Sequence, residues 1–302
     1  MSTVKFALTP AGVQEKELTV NGITSSYWEI GEGEPLVLVH GGGPGASGIV
    51  NWYSVMPLFA DAGFRVIAVN MLGYGLADYP PPGPNPYPQP GFCYDVDSRI
   101  RHLLAQLDAL GIGRTCLMGN SMGGTSSLGV SAHAPERVRR LVLMGSGGVP
   151  TPRENALTNA ATTYQPTYQS MVDVVTMMNN GFVLQDMDEI VRYRFEVSMD
   201  ANNSMTREAT MAIAQEDADA IHLLDEQVIR SISTETLIVQ GREDAIFPPQ
   251  TGLRFHELLE NSWLASFPKS GHWAMLQYPD AFVELCTWFL HSATLTASRL
   301  RT

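Results

Sequence analysis

The stretch LVLVHGGGPGASG, residues 36–48, decides between two folds. Its apolar run Leu36 to Val39 reads as a buried strand, and the loop behind it contains Gly43-Pro44-Gly45-Ala46-Ser47-Gly48, a literal match to the dinucleotide fingerprint G-x-G-x-x-G. In a dinucleotide fold the glycines open directly from the strand, their amides cradle a pyrophosphate, and an acid about twenty residues on ends the next strand against a ribose. Three features speak against that reading. His40, Gly41 and Gly42 separate strand from fingerprint, Pro44 removes an amide, and the next strand, VIAVN, ends in Asn70 rather than a carboxylate. Read as HGGG after a strand, the same loop supplies a free backbone N–H, that of Gly42, opposite a nucleophile elsewhere in the chain, as an oxyanion donor.

GNSMGG, residues 119–124, supplies a candidate nucleophile. It follows the apolar run RTCLM and leads into a helical run, so Gly119-x-Ser121-x-Gly123 has the strand-turn-helix context that G-x-S-x-G requires. Glycines permit a turn too tight for side chains, which lifts Ser121 to the strand's end and aims the Met122 N–H where an oxyanion forms. On its own, a serine between glycines is as often an ordinary turn. A serine hydroxyl is a weak nucleophile at neutral pH and needs a base held by a carboxylate, here in the chain order Ser, Asp, His. ETLIVQGRED places Asp244 just past a buried run, with Glu243 as its rival, and SFPKSGHWAML places His272 in a turn, where a helix cap is the plain alternative. Both fall at the carboxyl ends of strands, the edge where open α/β sheets carry their sites.

The rest of the chain fits this frame. Residues 16–40 read as a hairpin turning at Asn21-Gly22 and then a buried strand, and FRVIAVN, RTCLMG, RRLVLMG and ETLIVQG alternate with helical segments such as SRIRHLLAQLDALGI. That alternation predicts a mostly parallel sheet flanked by helices. From about 147 to 230 only helical spacing is found, as in Met171, Val174, Val175 and Met178, which predicts a helical insertion. Seven of the fourteen methionines fall there, as ordinary core filling or as the adaptable roof of a pocket. YPPPGPNPYPQPGF, residues 79–92, predicts a stiff, polyproline-like surface loop.

Composition narrows the partners. A 302-residue chain with 44 % hydrophobic and 17 % charged residues is globular, and its net charge of −12 repels nucleic acid and anionic lipid. An anionic substrate must therefore be met by a local cation. Three cysteines, Cys93, Cys116 and Cys286, lack metal-ligand spacing and read as reduced, and no run approaches the ~20 apolar residues of a membrane span. The expected location is the cytoplasm.

Together HGGGPGASG, GNSMGG, GRED followed by Pro248, and GHW resemble the meta-cleavage product hydrolases, α/β-hydrolase-fold enzymes that hydrolyse a carbon–carbon bond in ring-opened catechols. RIRHL at 99–103 and RYRFE at 192–196 extend the resemblance, which runs from about residue 16 to 290. Asn70, where many relatives have Asp, and the long proline-rich loop depart from it. The resemblance implies an α/β-hydrolase core over 1–146 and 231–302 with a helical lid over 147–230. It further implies Ser121, Asp244 and His272 as the triad and Gly42 and Met122 as oxyanion donors. Asn51, Asn120, Arg194 and Trp273 are implied as substrate-site residues.

Independently of the family, Arg194 falls on the apolar stripe Ile190, Val191, Arg194, Phe195. A fixed guanidinium there suits a substrate carboxylate, unless it snorkels or pairs with Glu196. Asn51 also reads as a helix cap and Trp273 as core packing. The expected reaction is hydrolysis of a 2-hydroxy-6-oxo-dienoate to a 2-hydroxydienoate and a carboxylic acid, without metal or cofactor. The expected partners are that small anionic substrate and a second copy of the chain in a homodimer, with neither nucleic acid nor membrane. A carboxylesterase or amidase with the same triad, and a non-enzymatic receptor on the same fold, are the alternatives.

Overall fold

A computed structural model describes residues 4–150, 164–182, 184–216 and 223–292. Strands β1 (Gln14–Val20) and β2 (Ile23–Ile30) form the hairpin, turning at Asn21 and Gly22, both with positive φ (51° and 79°), as a tight hairpin turn demands. Then follow β3 (Glu34–Val39), β4 (Phe64–Val69), β5 (Thr115–Asn120), β6 (Val138–Met144), β7 (Thr236–Gly241) and β8 (Ser262–Phe267). They form one eight-stranded sheet in the order β1-β2-β4-β3-β5-β6-β7-β8, antiparallel only at β1/β2 and β2/β4. In β3, successive residues serve opposite faces: Leu36 and Leu38 join one core layer, Val37 and Val39 the other. A strand buried on both faces has no polar alternation to display, which is why LVLV reads as a continuous apolar run.

Helices α1 (Gly48–Trp52), α2 (Met56–Asp61), α3 (Val96–Ala109) and α4 (Met122–His133) precede β6. Between β6 and β7 the described residues form α5 (Tyr168–Met178), α6 (Met187–Ser198), α7 (Ala201–Glu216) and α8 (Glu226–Arg230). Helices α9 (Pro249–Leu258), α10 (Ala274–Gln277) and α11 (Pro279–His291) follow β7 among the described residues. Of the expected lid, residues 151–163, 183 and 217–222 lie outside the described residues. Met171, Val174, Val175 and Met178 form the buried stripe of α5.

The proline-rich loop is anchored rather than extended. Tyr79, Tyr87 and Phe92 are buried beside the hairpin residue Ile23, and the Gly83 and Asn85 amides close the loop onto the Phe92 and Gly91 carbonyls. The Tyr87 hydroxyl meets His102 Nδ1 at 2.7 Å and accepts from Asn21 Nδ2 at 2.9 Å. Proline spacing predicts stiffness but carries no signal for aromatics that turn inward.

Sheet order also sets the site. Strands β3 and β5 are neighbours, and Val39 stands opposite Gly119 in their parallel register. His40-Gly41-Gly42 and Asn120-Ser121-Met122 therefore leave the sheet side by side.

Candidate active site

Ser121 sits at the β5–α4 junction with φ 56° and ψ −122°, a conformation that side chains rarely adopt. Two neighbours hold the turn: the Ser121 amide donates to the Met144 carbonyl of β6 at 3.1 Å, and Gly123 lies so close to β3 that a Cβ there would stand 2.2 Å from the Val39 carbonyl. Met122 opens α4, so its amide is one of the helix N-terminal donors without an intrahelical acceptor.

His272 and Asp244 come from the loops after β8 and β7. His272 Nδ1 donates to Asp244 Oδ2 at 2.9 Å, and both residues are buried. A carboxylate only accepts, so the Nδ1 proton points to Asp244 and Nε2 is left with its lone pair, the state a general base needs. Asp244 is itself fixed: its Oδ1 accepts from the Ile246 and Phe247 amides at 2.8 and 3.1 Å, and Gln240 Nε2 reaches Oδ2 at 3.3 Å. The rival Glu243 turns elsewhere and accepts from the Ser270 amide. His272 caps nothing; its own amide donates to the Met178 carbonyl at the end of α5, at 2.8 Å. Asn120, next to the serine, donates through Nδ2 to the Met144 carbonyl at 2.9 Å and reaches the His272 carbonyl at 3.5 Å, while its Oδ1 has no partner.

Arg194 of α6 is 1 % exposed, yet its Nε and Nη2 have no hydrogen-bond partner. Glu196, the acid expected as its alternative partner, is taken by Arg192 at 2.6 Å. The Arg194 guanidinium lies over the ring of buried Trp273, 5.4 Å from its centre, and burial lowers its pKa to about 10. Asn51 is not the cap of α1, since Ser47 holds that position, and its buried Nδ2 is also unpartnered.

The glycine-rich loop after β3 packs against both Arg194 and the Ser121 turn. A Cβ at Gly45, whose φ is +65°, would stand 1.8 Å from the Arg194 carbonyl, and one at Gly43 would stand 3.3 Å from Arg194 Nη2. These glycines let the backbone of α6 and its cation settle onto the loop. Their fingerprint spacing arises from packing. At Gly42 the nearest groups to a Cβ would be the Tyr74 hydroxyl at 3.1 Å and Met122 Sδ at 3.4 Å, so the two expected oxyanion residues are adjacent. Sequence reasoning gives His40 no role and passes over Tyr74, Gln240 and Phe247, all of which border this site; position directly after a strand end is the one signal that His40 carried.

Comparison with known proteins shows the family and the fold. The profile of the alpha/beta hydrolase fold matches residues 34–279. The 2-hydroxy-6-oxo-6-(2'-aminophenyl)hexa-2,4-dienoic acid hydrolase of Metapseudomonas resinovorans is 34 % identical over 91 % of this chain and 90 % of its own. The 2-hydroxy-6-oxo-2,4-heptadienoate hydrolase of Pseudomonas putida is 38 % identical over 89 % and 93 %. This chain belongs to the meta-cleavage product hydrolases. The solved meta-cleavage product hydrolase of Pseudomonas fluorescens IP01 superposes on this hydrolase with a TM-score of 0.79, at 30 % identity over 93 % of this chain and 98 % of its own.

Proposed function

We propose that this hydrolase adds water across the C5–C6 bond of a 2-hydroxy-6-oxo-dienoate in aromatic compound degradation, giving a 2-hydroxydienoate and a carboxylic acid. The observation that carries the reading is Arg194, a buried cation that no carboxylate pairs with among the described residues, set against the loop beside Ser121. A neutral ester gives such a group no partner, whereas the carboxylate and C2 oxygen of a dienoate do.

The chemistry follows from the assigned groups and needs no cofactor. The dienol first ketonises, moving its 2-hydroxyl proton to C5 with His272 Nε2 as shuttle, so that C5 becomes a competent leaving carbon. Ser121, or a water deprotonated by the same Nε2, then attacks C6, and the oxyanion rests on the Gly42 and Met122 amides. When the C5–C6 bond breaks, its electron pair passes through C4 and C3 to the C2 oxygen. Arg194 faces the charge that develops there, which makes its contribution larger in the transition state than in the ground state. Water completes the carboxylic acid at C6.

Free cysteines, two of them buried, support a cytoplasmic setting. Exposed Trp263 of β8 and Trp288 of α11, edge-on at 5.8 Å beside the outer strand of the sheet, support a homodimer. No described helix is long and apolar enough to cross a membrane. The test of the activity is a panel of ring-opened catechols: loss of the conjugated chromophore with purified protein is expected, and turnover of aryl esters alone would replace the reading with a carboxylesterase.

A further inference from the structure

We propose that His40 is a positioning residue of the oxyanion hole: its Nδ1-protonated imidazole holds the Gly41–Gly42 peptide in the orientation that aims the Gly42 N–H at the substrate carbonyl oxygen. The proposal rests on the hydrolytic reading above. Two contacts fix the tautomer. The Met71 amide reaches His40 Nε2 at 2.9 Å, and because a backbone N–H only donates, Nε2 carries a lone pair. Nδ1 lies 2.6 Å from the Gly41 carbonyl oxygen, which only accepts, so Nδ1 carries the proton. The ring has no exposed surface, and burial, with the Arg194 cation acting in the same direction, lowers its pKa to about 4. It is therefore neutral at neutral pH.

In a trans peptide the C=O and the following N–H point in opposite directions within one plane. Holding the Gly41 oxygen against the imidazole thus holds the Gly42 N–H on the far side. The loop lies against the nucleophile, since a Cβ at Gly41 would stand 3.0 Å from Ser121 Cβ. Three consecutive glycines leave a peptide free to flip, and the His40 bond removes that freedom. Tyr74 backs the imidazole edge-on at 5.6 Å.

Two substitutions separate the halves of the ring. Asn carries its amide nitrogen at the reach of Nδ1, so His40→Asn keeps the bond to Gly41 and loses Met71. Gln carries its oxygen at the reach of Nε2, so His40→Gln does the reverse. Hydrolysis of a p-nitrophenyl ester, which needs the oxyanion hole and no dienoate recognition, reports kcat and KM separately. His40→Gln is expected to lower kcat roughly 30- to 100-fold, near the low end for a lost oxyanion donor, with KM changed less than about threefold. His40→Asn is expected to keep most of kcat. Wild-type kcat in the Gln variant, or equal losses in both variants, overturns the proposal. The wild-type protein gives a second readout that no folding defect can blur: ¹⁵N spectra should show Nδ1 protonated and Nε2 unprotonated at neutral pH. An Nε2–H tautomer or an imidazolium there overturns the proposal as well. Ester turnover without dienoate turnover would instead refute the substrate assignment and leave both readouts intact.

Discussion

Replacing Arg194 by Gln separates recognition of an anion from the machinery of hydrolysis. The variant keeps a hydrogen-bonding tip and most of the stem while deleting the charge. A buried charge-assisted contact contributes about 1.5–3 kcal/mol, so kcat/KM on a dienoate should fall roughly 10- to 150-fold. Stability should move the other way, or not at all. Burial lowers the guanidinium pKa to about 10, which corresponds to roughly 3 kcal/mol against the charged form, and the stacking on Trp273 returns only about 1 kcal/mol of that. The unliganded Gln variant is therefore expected to melt at or slightly above the wild-type temperature. The assay pairs initial rates of chromophore loss on a ring-opened catechol with rates on a small neutral ester, which should stay within a few-fold because Ser121, His272 and both proposed oxyanion donors, the Gly42 and Met122 amides, are untouched. Equal losses on the two substrates together with a lowered Tm would refute the reasoning and make Arg194 a packing residue of α6.

Ser121→Ala and His272→Ala should fold normally and each lose most of kcat, and the double variant should be little worse than either because they act as one unit; near wild-type turnover by Ser121→Ala would remove the nucleophile. Asp244→Asn should leave the fold intact but destabilise the Nδ1–H tautomer of His272, lowering kcat by roughly 10²- to 10⁴-fold, as read by ester hydrolysis. Gly45→Ala, with its Cβ 1.8 Å from the Arg194 carbonyl, should force α6 off the loop, lowering stability by about 2–4 kcal/mol in urea titration and dienoate activity with it, while calorimetry detects no NAD(P) binding to either form. Acid should weaken the fold through His40 and His102, whose pKa values burial lowers to about 4. Below pH 6.5 the unfolded chain binds protons that the folded chain refuses, so stability falls between about pH 6.5 and 4 by roughly 3 kcal/mol per histidine; a flat urea midpoint across that window would contradict it.

Much of this arrangement is legible in the residues because it is local. The elbow at Ser121, the hairpin turn at Asn21-Gly22 and the two-faced strand Leu36–Val39 each follow from backbone sterics or from apolar periodicity within a few residues. The order Ser, Asp, His is legible for a similar reason: each group follows an apolar run, and in a parallel sheet such runs end at the same edge. Glu243 and Asp244 stand side by side in sequence, however, and no local rule separates them. Their roles diverge only where the loop after β7 turns Asp244 toward His272 and the Ile246 and Phe247 amides.

Arg194 and Gly45 show the larger boundary. Sequence alone determined that a cation lies on an apolar helical stripe and that a glycine-rich loop follows β3, because composition and spacing along one segment carry that information. Whether Arg194 would snorkel, pair with Glu196 or remain unpartnered depended on what packs against α6. Tertiary structure decided it by drawing Glu196 to Arg192, seating the guanidinium on Trp273 and closing the α6 backbone onto Gly45. The same holds for the fingerprint spacing of Gly43, Gly45 and Gly48, which matches a dinucleotide loop in sequence, yet the first two make room for α6 and the third for the backbone of β4. Periodicity along the chain records which face is buried; only contacts between segments far apart in sequence determine what it is buried against.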